Sequence, residues 1–163
     1  MIIFDASALI LLTKVDLLNR VVEEFQVTIT SIVAEECTRK EELFDAKLIK
    51  AFILQGKIRV HETTIAKEGR MLAKAFNMGD GETSSLLLAK TTDSILATDD
   101  GQAIKTCKVL QIPLLTAIHF LLSLNQKRIL KHDLALAKLK LLEKFGRYNQ
   151  EIIRHASEQI RRR

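Results

Sequence analysis

Four short stretches carry carboxylates that a folded chain could gather: Asp5 in "MIIFDASALI", Glu35 and Glu36 in "SIVAEEC", Asp80 and Glu82 in "GDGETSSL", and Asp99 and Asp100 in "LATDD". Asp5 stands out, because it ends an apolar opening run and a buried, unpaired carboxylate is costly. Acids brought together repel one another and raise each other's pKa, so a cluster at neutral pH needs a cation. An oxygen-only donor set selects hard divalent ions, Mg²⁺ or Mn²⁺. No His or Cys grouping has the spacing of a zinc site. Each stretch also has an ordinary reading. Asp5 suits a helix N-cap, Glu35 and Glu36 a solvated helix face, "GDGE" a helix start and "DDG" a turn. Their weight comes from order and placement together.

The elements that must position these acids follow from periodicity. "MIIF", "VTIT", "KIRVHET", "SILATDD" and "PLLTA" read as five short strands. Between them, apolar residues at three- and four-residue spacing mark helices. "ALILLTKVDLLNRVVEEF" reads as one helix, and "SIVAEECTRKEELFDAKLIKAFILQ" as another closed by Gly56. Further helices are expected over "IAKEGRMLAKAFN", "GDGETSSLLLAKTT", "GQAIKTCKVLQI" and "IHFLLSLNQKR". The remainder from "HDLALAKLKLLEKF" is helical, with a break at Gly146. Alternating strands and helices predict a three-layer α/β/α fold on a mostly parallel five-stranded sheet. Ligand sites in such sheets lie beyond the carboxyl ends of the strands, where Asp5 and the Asp99–Asp100 pair fall.

The bulk properties fit a single domain over residues 1–163, with 1–126 as the α/β unit and 127–163 as a basic helical segment. Apolar residues make up 47% and charged residues 28%, which argues against wholesale disorder. No apolar run is long enough for a membrane span, and Asp5 interrupts the only candidate leader. A cytoplasmic protein is expected. Cys37 and Cys107 read as buried free thiols. The net charge of +5 is uneven. Residues 127–163 hold 11 Lys and Arg against 4 Asp and Glu, while the rest of the chain is slightly acidic. That end reads either as a solvated helix face or as a surface for a polyanion. The seven phenylalanines fall in apolar patterns and read as core. His61, His119, His132 and His155 are scattered, with surface or cap roles by default, and Tyr148 is the only tyrosine.

On the segments "IIFDASALI", "ITSIVAEEC", "GDGETSSLLLA" and "ILATDDGQAIKTCKVLQIPLLTA", the chain resembles the PIN-domain family. The likeness is to the toxin-type ribonucleases of toxin–antitoxin pairs, in the subgroup with "GE" and "DD" motifs. The resemblance implies metal-binding, catalytic acids at Asp5, Glu36, Glu82 and Asp100, with Asp99 an alternative fourth ligand. Ser7 and Thr98 are expected to support them by hydrogen bonding, and Asp80 to assist beside Glu82. The subgroup's second acid after "GE" is replaced here by Ser84.

By that resemblance the protein is a Mg²⁺- or Mn²⁺-dependent endoribonuclease that hydrolyses RNA phosphodiester bonds by an activated water. A homodimer and an antitoxin partner are also implied, with no membrane association. Lys14, Arg39, Lys40, Lys105 and the basic C-terminal segment are candidates to offset phosphate charge. The alternatives are a catalytically degenerate RNA- or protein-binding module and an RNA-processing nuclease. A phosphatase of the haloacid-dehalogenase type needs a second Asp where Ser7 stands.

Overall fold

The computed structural model describes residues 1–162; Arg163, at the end of the basic segment, lies outside the described residues. Five strands, β1 (Ile2–Phe4), β2 (Val27–Thr30), β3 (Ile58–His61), β4 (Ile95–Ala97) and β5 (Leu114–Leu115), form one sheet. Their order is β3-β2-β1-β4-β5 and every pairing is parallel. Register is fixed by pairs such as Ile3 with Thr28 and Phe4 with Ala97. The chain winds outward from β1 in both directions, so the topological switch point lies between β1 and β4.

Successive residues of a strand face opposite sides, and the core divides accordingly. Ile3 and Leu96 join Met78, Leu86 and Cys107 on one face. Phe4 and Ala97 join Leu9, Leu12, Ile29 and Phe120 on the other. Phe120 stacks on Phe4 at 5.1 Å and meets Phe25 edge-on at 5.3 Å. Helices therefore cover both faces, as the alternation of elements predicts.

The helices that follow β1 are α1 (Ala6–Lys14) and α2 (Leu18–Glu24). The single helix expected there is broken at Asp16, which adopts a left-handed φ of 53° that Asp tolerates better than most residues. The second long helix is likewise two, α3 (Ser31–Thr38) and α4 (Phe44–Leu54). Between them "RKEE" offers nothing apolar to bury and the chain turns.

Further along come α5 (Lys67–Phe76), α6 (Asp80–Thr91), α7 (Gly101–Leu110) and α8 (Ala117–Gln126). Two C-terminal helices, α9 (His132–Phe145) and α10 (Gln150–Arg161), part at Gly146 as expected. They pack on α8 and on each other. Leu139, Leu142, Ile153, Ala156 and Ile160 complete the core on the Phe4 side. Lys138, nearly buried on α9, reaches Asp16 at 2.8 Å and ties this hairpin to the α1–α2 turn.

Two phenylalanines depart from the core reading: Phe44 is 73% exposed at the start of α4, and Phe145 is 46% exposed at the end of α9. Both sit at helix termini, where periodicity no longer fixes a face. Cys37 and Cys107 are free and buried, and burial raises their thiol pKa values to about 12 and about 11. Neither is a reactive thiol. Among the described residues, no helix is long and apolar enough to cross a membrane.

Candidate active site

Asp5 follows β1 directly and caps α1, accepting the Ala8 N–H at 3.0 Å on Oδ1. It is fully buried. Two hydroxyls compensate it: Ser7 Oγ donates to Oδ1 at 2.7 Å and Thr98 Oγ1 to Oδ2 at 2.5 Å. Each hydroxyl oxygen also accepts a backbone N–H from the segment after β4. Ser7 Oγ takes that of Asp99 at 2.9 Å, and Thr98 Oγ1 that of Asp100 at 3.2 Å. Two short relays thus fasten the β4–α7 turn onto Asp5, across the switch point. Desolvation still dominates and lifts the Asp5 pKa to about 6, with the nearby Asp99 charge adding to the rise.

The Asp99–Asp100 pair divides. Asp100 caps α7, its Oδ1 accepting Gln102 N–H at 2.7 Å and Ala103 N–H at 2.9 Å. Asp99 points elsewhere. Its carboxylate takes the Ala117 N–H at the start of α8, at 3.0 Å on Oδ2, and the hydroxyl of Tyr148 on Oδ1. Burial raises its pKa to about 6 despite those donors.

Glu82, half-buried in the first turn of α6, accepts the Gly79 N–H at 3.1 Å and so completes that helix start. Its pKa is raised by desolvation first, and then by the charges of Asp100 and Glu36. Glu36 arrives from α3 over the first turn of α6. A side chain at Gly81 would collide with its Oε2, so the glycine there makes room for the carboxylate. Glu35 is exposed and faces Arg39 at 3.9 Å, as a solvated helix-surface residue would.

Asp80 is exposed at the first position of α6, where its charge suits the helix dipole. Ser84 is fully buried, with Oγ 2.8 Å from Thr30 Oγ1 and donating to Gly81 O at 2.9 Å. A carboxylate at that position would stand in a dry contact with β2, which gives the serine a structural reason.

The structure therefore brings Asp5, Ser7 and Thr98 together, and sets Glu82 within electrostatic reach of Asp100 and of Glu36. Among the described residues, no three His, Cys, Asp or Glu side chains converge as a ready metal cage. The donor set is all carboxylate and mutually repelling, so its chemistry fits a hard divalent cation. Asp100 keeps an oxygen, Oδ2, outside its helix-capping bonds. Lys14, Lys40 and Lys105 are exposed, and none of them lines a groove between α8 and α10.

That groove measures about 1050 Å³ and runs beside the β5 edge of the sheet. Of the acids above, only Asp99 lines it. Tyr148 joins it to the site, and sequence reasoning gave that tyrosine no role. The signal was a lone tyrosine two residues past a helix-breaking glycine. At Gly146 any Cβ would strike the Tyr148 ring, so the glycine lets the ring fold back over the chain.

An all-parallel sheet with acids after the strands on either side of its switch point defines the class: an α/β protein with an acidic site at the carboxyl edge. A PIN-domain family model matches residues 1–161, and the chain belongs to the PIN-domain family. Its fold is of the nuclease type; PIN domains are generally nucleases and usually use divalent metal ions. No curated protein matches the chain.

Proposed function

We propose that the protein is a metal-dependent endoribonuclease, acting as the toxin of a toxin–antitoxin pair. The observation that carries the enzymatic reading is Asp5: a fully buried carboxylate held at the switch point by two hydroxyls, one of which also holds the turn bearing Asp100, whose charge Glu82 feels together with that of Glu36. Asp5, Glu36, Glu82 and Asp100 would hold Mg²⁺ or Mn²⁺. Asp100 is preferred to Asp99 because its second oxygen takes no part in capping α7 and its charge is felt by Glu82.

When bound, the cation supplies Lewis-acid activation of a water and charge stabilisation for in-line attack on phosphorus. The chain's own residues do the rest. Ser7 and Thr98 orient Asp5 and fix the turn bearing Asp100. Glu82 keeps Oε1 outside its bond to the Gly79 N–H, and that oxygen would serve as the ligand. Burial excludes bulk water from Asp5. A cytoplasmic homodimer with an antitoxin partner belongs to the same proposal.

The test is cleavage of a labelled, structured RNA by wild type and Asp5→Asn in Mn²⁺, Mg²⁺ or EDTA, with DNA as control. Metal-dependent cleavage of RNA that drops at least about 100-fold in the variant is expected. The toxin role predicts growth arrest on expression, relieved by the product of an adjacent small reading frame.

One observation favours a second reading, a PIN domain that binds without cutting. Glu82 and Asp100 are both engaged as helix caps, and no three acids converge among the described residues. RNA binding with neither metal uptake nor cleavage would select it.

A further inference from the structure

The residues left without a role in the sequence are not scattered in space. His119 on α8, Tyr148 before α10, and Arg154 and His155 on α10 all line the 1050 Å³ groove, together with Lys108 on α7 and Arg147. This set joins the chain's only tyrosine and two of its four histidines to three cations. The floor between them is apolar, from Leu115, Leu122 and Ile152. Asp99, which also lines the groove, adjoins the switch-point site through its N–H bond to Ser7.

Planar rings, guanidinium groups and an apolar floor beside free cations are what unpaired nucleotides need. Bases splayed from a single strand stack on Tyr, His or Arg planes, and their phosphates pair with the cations. A duplex keeps its bases stacked inside and offers no planes to such a trough. The lining holds Lys108, Arg147 and Arg154 against Asp99, Glu151 and Glu158, so what favours a strand is the cations' lack of partners rather than a net positive charge. Lys108, Arg147 and Arg154 form no ion pair among the described residues. Of the acids on the rim, Glu158 lies 3.8 Å from Arg162, and Glu151 sits in the first turn of α10, where it suits the helix dipole. A groove of this volume lies at the top of the roughly 300–1,000 Å³ range of ligand pockets, and it is partly open to solvent.

We propose that the α8–α10 groove binds a single-stranded RNA segment flanking the scissile bond, with Tyr148, His119 and His155 as stacking partners and Lys108, Arg147 and Arg154 as phosphate contacts. The inference rests on the ribonuclease reading for its orientation but not for its binding step. It assigns a purpose to the basic C-terminal hairpin: this element extends the site by a track that admits unpaired RNA. The acids then meet the strand where it passes Asp99.

Binding is measured apart from cleavage, in the full-length Asp5→Asn protein with EDTA. The probe is a fluorescein-labelled oligouridylate of about twelve nucleotides, within the span of single-strand sites. A hairpin duplex of equal length is the comparison. Anisotropy is read at about 50 and about 200 mM KCl. The charge-matched control is Lys67→Ala/Lys74→Ala on α5, outside the groove, and circular dichroism checks the fold of every variant.

Arg147→Ala/Arg154→Ala should weaken oligouridylate binding by about tenfold or more at low salt. It should also flatten the log–log salt slope by about 1.4, or about 0.7 for each phosphate no longer neutralised. His155→Ala should weaken binding without changing that slope, and the α5 control should stay within about twofold. The proposal is overturned if the groove variants match the control, if the duplex loses as much affinity as the single strand, or if the parent protein does not bind the oligouridylate. It is also overturned if Arg147→Ala/Arg154→Ala only lowers the assembly mass in light scattering, which would make the groove a protein interface.

Cleavage by the proteins with Asp5 intact separates the two readings. Groove-dependent binding without any cleavage sinks the nuclease and keeps the groove. Cleavage and binding both indifferent to the groove variants do the reverse.

Discussion

Asp5 is stable in its place only because hydroxyls and a helix N-terminus attend it, and even so burial holds its pKa near 6. A carboxyl whose folded pKa exceeds its unfolded value near 3.8 binds its proton more tightly in the fold. Its contribution to stability is therefore intact below pH 4 and declines as pH rises through the window from about 4 to about 6. A shift of that size corresponds to on the order of 3 kcal/mol. Asp99 acts in the same direction over the same window. Asp5→Asn should accordingly be more stable than wild type at pH 7.5 in EDTA, by about 1–3 kcal/mol, with little difference at pH 4. Urea melts at the two pH values check this, and equal stability at pH 7.5 would show that the buried charge is otherwise neutralised.

Part of this corner was legible because Ser7 lies only two residues beyond Asp5, whereas Thr98, 93 residues away, came only with the resemblance to the family's motifs. Of the Glu35–Glu36 pair, Glu36 lies over Gly81 while Glu35 faces Arg39. The division of labour between Asp99 and Asp100 was not legible. It depends on where Tyr148 returns, 49 residues later.

At the level of elements, the C-terminal hairpin α9–α10 is attached in three ways: apolar packing on α8, the Lys138–Asp16 pair, and the Tyr148–Asp99 bond. The last is a hydroxyl bonded to a mostly buried carboxylate, which ordinarily contributes about 1.5–3 kcal/mol. Tyr148→Phe keeps the ring over Gly146 and removes only that bond. It should destabilise the fold by an amount in that range at pH 7.5, read as a lower urea midpoint with the denaturant slope unchanged. An unchanged midpoint would mean that Ala117 N–H alone satisfies Asp99.

Element existence was readable throughout, because each strand is a compact β-branched or aliphatic run and each helix an apolar stripe. The breaks were not. At Asp16 a single residue turns left-handed in the middle of an unbroken apolar stripe, a local conformation that periodicity does not sense. At "RKEE" the missing apolar positions are a signal, but one masked by the stripe that resumes in phase at Phe44 and beyond.

Across the whole molecule, the acids gather at one edge of the sheet while positive charge collects in the last fifth of the chain. Under the proposed function, such a layout suits a polyanion drawn to the basic segment and presented to the acidic edge. It also predicts how cation and fold are linked. Mn²⁺ at about 100 times its dissociation constant adds about 2.7 kcal/mol to a fold that alone can bind it. For a protein of this size that raises the melting temperature by roughly 5–10 °C. Wild type should show the increase and Asp5→Asn should not, as differential scanning fluorimetry can read. No increase in wild type would favour the binding module over the nuclease.

The strand order has one more consequence. Asp5 and Thr98 are 93 residues apart in the chain and meet only when β1 pairs with β4, and Asp99 meets Tyr148 later still. A ribosome delivers residues at roughly 5–20 per second, so several seconds separate the synthesis of the first acid from that of the residues that orient it. During that interval the emerging chain has no assembled centre. A centre of the proposed kind is therefore absent until most of the chain has been made.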